Sequence, residues 1–392
     1  MDFELWFLVI APLMFAAGWW MRGLDTRQRR QETHGLDRHY FQGLSLLLSD
    51  EPDKAIDRFI EVVRLEPETI ELHHVLGNLF RRRGQFDRAI RLHNYIANRA
   101  ELSDKERTLA LGELALDFLK AGMYDRAEQA YQTLSQIPES RAEALDALMR
   151  IYCTEREWTK AIEVAEQLER EVGRDLHGDI THYYCELAAR ARKSNDLARA
   201  REFVGKAMRI NPNSVRAMAL SADLALDENN HEEALRHWND IQRKSPQYLP
   251  LIAQKKGDVL ADENPEKAVA FLKEVFAQTG SIDVLDAAVK RLIVHQGKEE
   301  ACAFATEALQ RSRSLSAFAV MCQVRQQLNP EDQQTAVLAD MTARQAKKLA
   351  RYQCVHCGFL AHTFAWQCPG CEHWDAFPPL RVEESKKSGG GY

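Results

Sequence analysis

The fold of this chain is decided by a repeating unit, and its clearest copy reads Leu76-Gly77-Asn78-Leu79-Phe80-Arg81-Arg82-Arg83-Gly84-Gln85-Phe86-Asp87-Arg88-Ala89. The small residues Gly77 and Ala89 let two helices approach closely, and Gly84 readily takes the left-handed conformation that ends a helix. The alanine position recurs at intervals of 34, 38, 34, 39, 34, 34 and 33 residues, as Ala55, Ala89, Ala127, Ala161, Ala200, Ala234, Ala268 and Ala301. The chain therefore contains an internal repeat of helix pairs.

A period near 34 residues is typical of the tetratricopeptide repeat, a pair of antiparallel helices. Most units also have a small residue twelve positions before the alanine, at Gly43, Gly77, Ala115, Ala188 and Ala222. Since no unit buries its own apolar face, the units must stack into a solenoid. We therefore predict a mainly α fold, with a tetratricopeptide-repeat α-solenoid over residues 36–348.

Two parts of the repeat depart from the regular period. The longer intervals before Ala127 and Ala200 predict longer helices or loops near residues 101–104 and 171–179. The signal weakens around Ala268, because Lys255 and Lys256 stand at positions that are normally apolar. The last repeats are therefore predicted to be degenerate.

Four cysteines near the C-terminus form two Cys-x-x-Cys pairs, Cys354, Cys357, Cys368 and Cys371. This spacing is typical of a tetrahedral four-thiolate metal site, and two surface disulfides are the alternative. We predict a small rubredoxin-like zinc-ribbon module over residues 349–380, holding one metal ion, zinc in preference to iron. The segment is too small for a self-sufficient core, so the ion would supply its folding free energy. Residues 381–392 are predicted to be a flexible tail.

The N-terminal segment differs from the rest of the chain, since residues 5–21 carry no charge. Trp6 and the pair Trp19–Trp20 stand at its two ends, where indoles favour the boundary of a bilayer. Acidic residues precede it and arginines follow it, which puts the N-terminus outside and the body in the cytoplasm. We predict a transmembrane anchor over residues 1–22 and a juxtamembrane linker over 23–35. A cleaved signal peptide and a buried helix are the alternatives, and a signal peptide needs a basic start.

The remaining chemistry argues for a protein that binds other proteins. The net charge of −6 argues against a nucleic-acid partner. The sequence has no phosphate-binding loop, nucleophile elbow or metalloprotease signature, and four thiolates leave no open position on an ion. We therefore predict a protein that is not an enzyme and has no catalytic residues.

The first helix of each repeat lines the concave face of such a solenoid, which suits a peptide or a protein surface. Counting from the repeat register, the inward-facing polar residues are predicted to be Glu71, His74, Asn78, Arg81, Asp146, Arg150, His182 and Arg192. These eight residues are our candidate partner-binding residues. For each of them, a solvated helix face is the alternative interpretation.

The whole arrangement resembles the lipopolysaccharide assembly protein B family of Gram-negative bacteria. The resemblance rests on the N-terminal anchor, on Leu76-Gly77-Asn78-Leu79-Phe80-Arg81 and on Gly122-Met123-Tyr124-Asp125-Arg126-Ala127-Glu128. It also rests on the ending, Arg351-Tyr352-Gln353-Cys354-Val355-His356-Cys357-Gly358-Phe359 with Trp366-Gln367-Cys368-Pro369-Gly370-Cys371. The ending also resembles rubredoxin, although Glu372 stands where a rubredoxin knuckle usually has glycine.

The family resemblance implies a single-pass protein of the bacterial inner membrane whose cytoplasmic body regulates lipopolysaccharide synthesis. It implies two partners, a membrane-bound AAA+ protease and the deacetylase that commits precursor to lipid A, which the protein would present for degradation. Other lipopolysaccharide-synthesis or transport proteins and a second copy of the chain are further candidate partners. One rival hypothesis is a scaffold that assembles lipopolysaccharide enzymes without proteolysis, and another is an iron redox protein.

Overall fold

A computed structural model describes residues 51–65 and 70–385, with short stretches at 14–15, 20, 41–43 and 45–46. The chain divides into two compact units, Met1–Val172 and Gly173–Tyr392. Within these described residues, no helix has the length and apolar character that a bilayer crossing requires. Apart from residues 14–15 and 20, the predicted anchor lies outside them, and so does the predicted linker.

The first unit is built from antiparallel helix pairs. Its helices are α1 (Pro52–Leu65), α2 (Ile70–Arg82), α3 (Phe86–Ala97), α4 (Asp104–Lys120), α5 (Tyr124–Ser135), α6 (Arg141–Glu155) and α7 (Trp158–Val172). The turns after α2 and α4 contain Gly84 and Gly122, which have φ of 71° and 73°. Helix α4 starts with a capping box, in which Ser103 and Glu106 each bind the other's backbone N–H.

The second unit continues the same pattern with ten helices that the structure describes before its small sheet. They are α8 (His177–Lys193), α9 (Leu197–Ile210), α10 (Val215–Asp227), α11 (His231–Lys244), α12 (Leu249–Glu263), α13 (Pro265–Thr279), α14 (Ile282–His295), α15 (Lys298–Ser312), α16 (Leu315–Leu328) and α17 (Gln333–Lys348). A short 3₁₀ helix, Pro246–Tyr248, precedes α12. The pairing therefore persists through the part of the chain where the sequence signal weakens.

The alanines that set the repeat register are all fully buried, with 0% exposure at each of the eight positions. Gly77 shows why the facing position must be small, since a Cβ atom there would lie 2.4 Å from His93 Nε2. The two longer intervals also have a structural cause. Helices α4 and α8 both have 17 residues, the longest of the helices described, and each follows a short loop.

Lys256, on α12, stands where the repeat normally has an apolar residue, and its side chain is buried. Its Nζ donates hydrogen bonds to Asn239 Oδ1 at 2.7 Å and to Gln242 Oε1 at 2.6 Å. The same Nζ lies 4.6 Å from the centre of the Phe271 ring. Burial lowers the pKa of Lys256 to about 8. Side chains of the neighbouring helices thus provide hydrogen-bond acceptors and a ring for a lysine at a normally apolar position. The helix pair therefore forms despite this substitution.

The C-terminal module follows α17 and contains a two-stranded antiparallel sheet. Strand β1 (Tyr352–Gln353) pairs with β2 (Leu360–Ala361), so that Tyr352 faces Ala361. Its core consists of Tyr352, Ala376, Phe377 and the sulfurs of Cys354 and Cys368. This core is small, and the two strands flank the first cysteine pair, Cys354 and Cys357, while an isolated bridge between Gln367 and Trp374 flanks the second.

Candidate metal centre and its contacts with the repeats

The four cysteines of the module converge on one point. Their sulfur atoms all lie within 4.8 Å of one another. The distance from Cys354 Sγ to Cys371 Sγ is 3.6 Å, and that from Cys357 Sγ to Cys368 Sγ is 3.7 Å. A disulfide needs about 2.05 Å, whereas sulfurs about 2.3 Å from a tetrahedral ion lie roughly 3.8 Å apart. The geometry fits four ligands of one metal ion and excludes the alternative of two disulfides.

Backbone N–H groups donate hydrogen bonds to the two buried sulfurs. His356 and Cys357 direct their N–H groups at Cys354 Sγ, at 3.4 and 3.5 Å, and Gly370 directs its N–H at Cys368 Sγ, at 3.4 Å. Desolvation opposes ionisation of the Cys354 thiol, but the N–H groups of Cys357 and His356, with the thiols of Cys368 and Cys371, outweigh it and lower its pKa to about 6. Cys354 therefore favours the thiolate, which is the form that binds metal.

The second knuckle shows how this chain accommodates Glu372. Its backbone φ is 61°, in the left-handed region, and its N–H donates to the carbonyl of Cys368 at 2.8 Å. The corresponding turn after the first knuckle uses Gly358, with φ of 76°. A non-glycine residue in this conformation costs roughly 1 kcal/mol. The knuckle thus keeps its shape without the glycine that is usual in rubredoxin.

The module is docked on the repeats of the second unit through two tryptophans. The Trp374 ring stacks on His182 of α8, with ring centres 4.6 Å apart and an interplanar angle of 6°. The guanidinium of Arg216, on α10, lies 5.2 Å from the Trp374 ring centre and 6.0 Å from that of Trp366. Tyr248 stacks on Trp366 at 6.0 Å. Residues from three successive repeats therefore hold the module.

Polar contacts fix the orientation of this interface. The Nε2 atom of His182 lies 3.0 Å from Asp375 Oδ2. Arg216, which is 7% exposed, forms an ion pair with Glu186 at 2.5 Å. A buried guanidinium that contacts a carboxylate and two indole rings is strongly constrained, because it has several partners at fixed positions.

A second contact is made by the end of the module. Arg381 is buried and donates to Asp283 Oδ1 at 2.7 Å. The following helix, α18 (Val382–Ser385), directs two carboxylates at helix starts. Glu384 Oε1 accepts from the N–H of Ile282 at 2.6 Å, and Glu383 Oε2 accepts from that of Ser316 at 3.4 Å.

These contacts correct one boundary of the sequence analysis. The predicted tail starts at residue 381, but residues 381–385 are docked on the repeats. Residues 386–392 lie outside those described. The correction has a physical reason, because carboxylates at helix N-termini and a buried arginine–aspartate pair bind the segment. The sequence shows these groups only as an ordinary mixture of charges.

Glu384 makes this contact dependent on pH. Burial raises the pKa of Glu384 to about 7, against the opposing effect of its hydrogen bonds to Ile282 and Arg381. The folded state therefore binds a proton that the unfolded state, with a pKa near 4.5, releases. Stability should fall as the pH rises from about 5 to 7, by at most about 1.4 kcal/mol per pH unit. The protection factors of residues 381–385 and 282–285, measured by hydrogen exchange at pH 5.5 and 7.5, test this fall in stability.

The matched variant for this prediction is Glu384→Gln. It keeps an acceptor for the Ile282 N–H but cannot ionise. The protection factors of these two segments should therefore depend less on pH than they do in the wild type. An equally steep dependence in Glu384→Gln would show that another group is responsible. Arg381 and Asp283 are the charged side chains that act on Glu384.

The structure places the predicted partner-binding residues of the first unit in different environments. Glu71 and Arg150 are exposed, and Asn78 and Asp146 are half-buried. His74 is buried, and its ring stacks on that of His93, with ring centres 5.5 Å apart. His74 is thus part of the packing between α2 and α3.

Arg81, predicted to bind a partner, instead belongs to a network of buried and half-buried side chains within the chain. It donates to Asp117 Oδ1 at 2.8 Å and pairs with Glu113 at 2.5 Å, and it also binds Asn78. The other oxygen of Asp117 lies 2.5 Å from His93 Nδ1, and both of these side chains are fully buried. The network ties α2, α3 and α4 together.

In the second unit, His182 and Arg192 are also engaged within the chain. His182 contacts the module, as described above, and Arg192 forms ion pairs with Asp223 at 3.0 Å and with Asp227. Arg216 is not among the predicted residues, although it stands 34 residues after His182 and so occupies the same repeat position. The repeat register therefore contains the signal that identifies it.

Comparisons with known proteins agree with this architecture. A family model described as the rubredoxin metal binding domain matches residues 352–379, and a tetratricopeptide-repeat model matches residues 72–94. A chain of the solved Naa15/Naa10 complex bound to HypK-THB superposes with a TM-score of 0.54 at 16% identity, covering 83% of this chain and 48% of that chain. This likeness shows the helical-repeat fold.

Two relatives match along almost the whole chain. The lipopolysaccharide assembly protein B of Escherichia coli (strain K12) is 33% identical over 396 residues, which cover 96% of this chain and 98% of the relative. The protein of the same name from Haemophilus influenzae (strain ATCC 51907 / DSM 11121 / KW20 / Rd) is 29% identical over 395 residues, covering 97% and 99%. The likeness therefore includes both the repeats and the cysteine module.

Proposed function

The chain belongs to the lipopolysaccharide assembly protein B family, and from this premise we propose that it is a non-enzymatic adaptor tethered to the bacterial inner membrane. Its body faces the cytoplasm and regulates lipopolysaccharide synthesis. It presents the deacetylase that commits precursor to lipid A to a membrane-bound AAA+ protease for degradation. The predicted anchor at residues 1–22 holds it beside that protease, so that individual contacts can be weak.

The docked module supports this proposal most directly. Two first helices, through His182 and Arg216, and the 3₁₀ helix before α12, through Tyr248, already hold one folded protein surface. Stacked rings, a guanidinium and a carboxylate make this contact, and the same chemistry suits a separate protein. In the first unit, we propose that the accessible residues Glu71, Asn78, Asp146 and Arg150 contact a partner. His74 and Arg81 would support them from the interior.

The module has a structural part in this proposal. Cys354, Cys357, Cys368 and Cys371 would hold one zinc ion, which supplies folding free energy to a segment with a small core. Four thiolates leave no position for a substrate. By keeping Trp366 and Trp374 in place, the folded module keeps the repeats that it contacts in their binding conformation.

The lifetime of the deacetylase in living cells tests the proposed function. Depletion of the protein should lengthen that lifetime several-fold, and the intact chain should restore it. The Cys354→Ser, Cys357→Ser variant should not restore it, because its module cannot fold. An unchanged lifetime on depletion would contradict the adaptor proposal.

That contrary outcome would favour a second function, a scaffold that gathers lipopolysaccharide-synthesis enzymes without directing proteolysis. The whole-length likeness to proteins named for lipopolysaccharide assembly supports it equally well. The scaffold predicts that these enzymes co-purify with the chain and keep their normal lifetimes. An iron redox protein, in contrast, would be red and would show a reversible one-electron potential.

A further inference from the structure

An exposed basic face lies on the first repeat that is described in full. Residues 81–99 contain six arginines and one acidic residue, Asp87, in a chain whose net charge is −6. Three of these arginines are engaged elsewhere, because Arg81 belongs to the buried network, Arg99 pairs with Glu101 at 3.2 Å, and Arg83 also has an interaction partner. The other three arginines, together with one tyrosine, form what we call the basic face, Arg82, Arg88, Arg91 and Tyr95.

The helix geometry brings these side chains to one surface. Arg88, Arg91 and Tyr95 follow one another at i, i+3 and i+7 on α3, and all three are exposed. The opposite side of α3 buries Ala89, His93 and Ile96. Arg82 extends the surface at the end of α2. The face is therefore the outer side of a helix pair whose inner side is fixed by packing.

The nearby groups leave most of this positive charge for an external anion. The guanidinium of Arg88 lies 5.5 Å from the Phe80 ring centre and donates to Gln85 Oε1 at 3.2 Å, and neither group is charged. Asp87 is the acidic residue on this helix and is also exposed. Tyr95 is 54% exposed, and its ring lies 6.0 Å from that of His73. The surface thus combines clustered arginines with an accessible phenol.

We propose that the basic face binds the anionic phospholipid surface of the membrane to which the chain is tethered. Clustered arginines attract anionic headgroups, and tyrosine is enriched at the level of the headgroups. The inference rests on the proposed anchor, which ends 60 residues before Arg82 in the sequence. Because the chain as a whole is acidic, an anionic surface repels most of it and attracts this face. Binding of the basic face to the membrane therefore orients this repeat, with α3 turned toward the lipid surface.

The reaction of arginines with phenylglyoxal, followed by mass spectrometry, tests this in the full-length chain. The chain is reconstituted in vesicles of phosphatidylcholine alone or with added phosphatidylglycerol. Labelling of Arg82, Arg88 and Arg91 should slow by at least about fivefold in the anionic vesicles at low salt. High salt should abolish the difference, because it screens exposed charges. Arg209 and Arg243, exposed in the second unit, serve as internal controls whose labelling should not change.

Two variants sharpen the measurement. Arg88→Ala, Arg91→Ala should speed labelling of Arg82 in anionic vesicles, because the attraction is shared among the three charges. The matched variant, Arg209→Ala, Arg243→Ala, removes the same charge elsewhere and should leave that labelling unchanged. Equal labelling of the basic face in both kinds of vesicle would overturn the proposal. So would protection that inorganic phosphate or duplex DNA provides and phosphatidylglycerol does not.

Flotation with the vesicles separates this proposal from the proposed anchor. A chain that does not float with phosphatidylcholine vesicles lacks a membrane anchor, whatever its arginines do. In that case, labelling in the presence of phosphatidylglycerol vesicles still shows whether the basic face binds anionic lipid. A chain that floats with both vesicles but shows no protection contradicts the basic face alone.

Discussion

Replacing both Cys354 and Cys357 by serine is expected to abolish metal binding and to unfold residues 349–380. Metal binding supplies on the order of 10 kcal/mol to a structural four-thiolate site. The module has little else, since its core consists of a few side chains around Tyr352, Ala376 and Phe377. A segment of this size does not bury enough apolar surface to fold without such a contribution.

Unfolding of the module should also be visible on the repeats. Loss of Trp366 and Trp374 from the interface removes the rings that cover Arg216 and His182. Hydrogen exchange should therefore accelerate strongly in residues 352–379 and moderately in the first turns of α8 and α10. Elemental mass spectrometry of the purified chains measures the metal content, which should fall from one ion per chain to none.

The matched control replaces two cysteines that stand far from the module in the sequence. Cys153→Ser, Cys302→Ser changes two partly exposed thiols within repeat helices. We expect full metal content and nearly unchanged exchange in residues 352–379 for this chain. A Cys354→Ser, Cys357→Ser chain that contains no metal and yet keeps native exchange in those residues would contradict a structural role for the ion.

The repeat was predictable from the sequence because helix packing imposes a strict period on small residues. Each of the eight alanines chosen by that period is fully buried. The cysteine site was predictable for a similar reason, since two knuckles of fixed spacing suit one tetrahedral ion. Both signals are local, or repeat at a constant distance along the chain, so a single sequence contains them in full.

The docking of the module was not predictable in this way. His182 and Asp375 are 193 residues apart in the sequence, and no periodicity connects them. The same holds for Arg381 and Asp283, which are 98 residues apart. Such contacts depend on how the folded surfaces meet. The register did predict that His182 faces inward, but only the structure shows that the chain itself occupies that position.

The inward residues of the first unit illustrate a second limit of the sequence. Arg81 was predicted to bind a partner because its repeat position faces the groove. The structure gives it two carboxylates, Glu113 and Asp117, from the next helix pair. A charged residue at a groove position can therefore be either a binding residue or a bridge between repeats. The period alone does not distinguish the two roles, because the bridging carboxylates have no fixed register.

Asp117→Ala is expected to destabilise the first unit by about 3–5 kcal/mol, because it leaves buried charge and hydrogen-bonding groups without their partner. Asp117 is fully buried and connects Arg81 with His93, whose Nδ1 would lose its acceptor. Arg81 would keep Glu113, at the more exposed edge of the network. His93 cannot move away, because its ring is packed against Gly77. Hydrogen exchange of residues 70–120 in mild urea measures the loss within this unit.

Two further variants identify the cause of that loss. Asp117→Asn keeps an oxygen acceptor of the same shape but removes the charge that pairs with Arg81, so its effect should lie between those of wild type and Asp117→Ala. Asp125→Ala removes an exposed carboxylate from the first turn of α5 and should cost less than about 1 kcal/mol. If Asp117→Ala were as mild as Asp125→Ala, the network would not stabilise the repeats. Arg81 would then again be a candidate for contacting a partner.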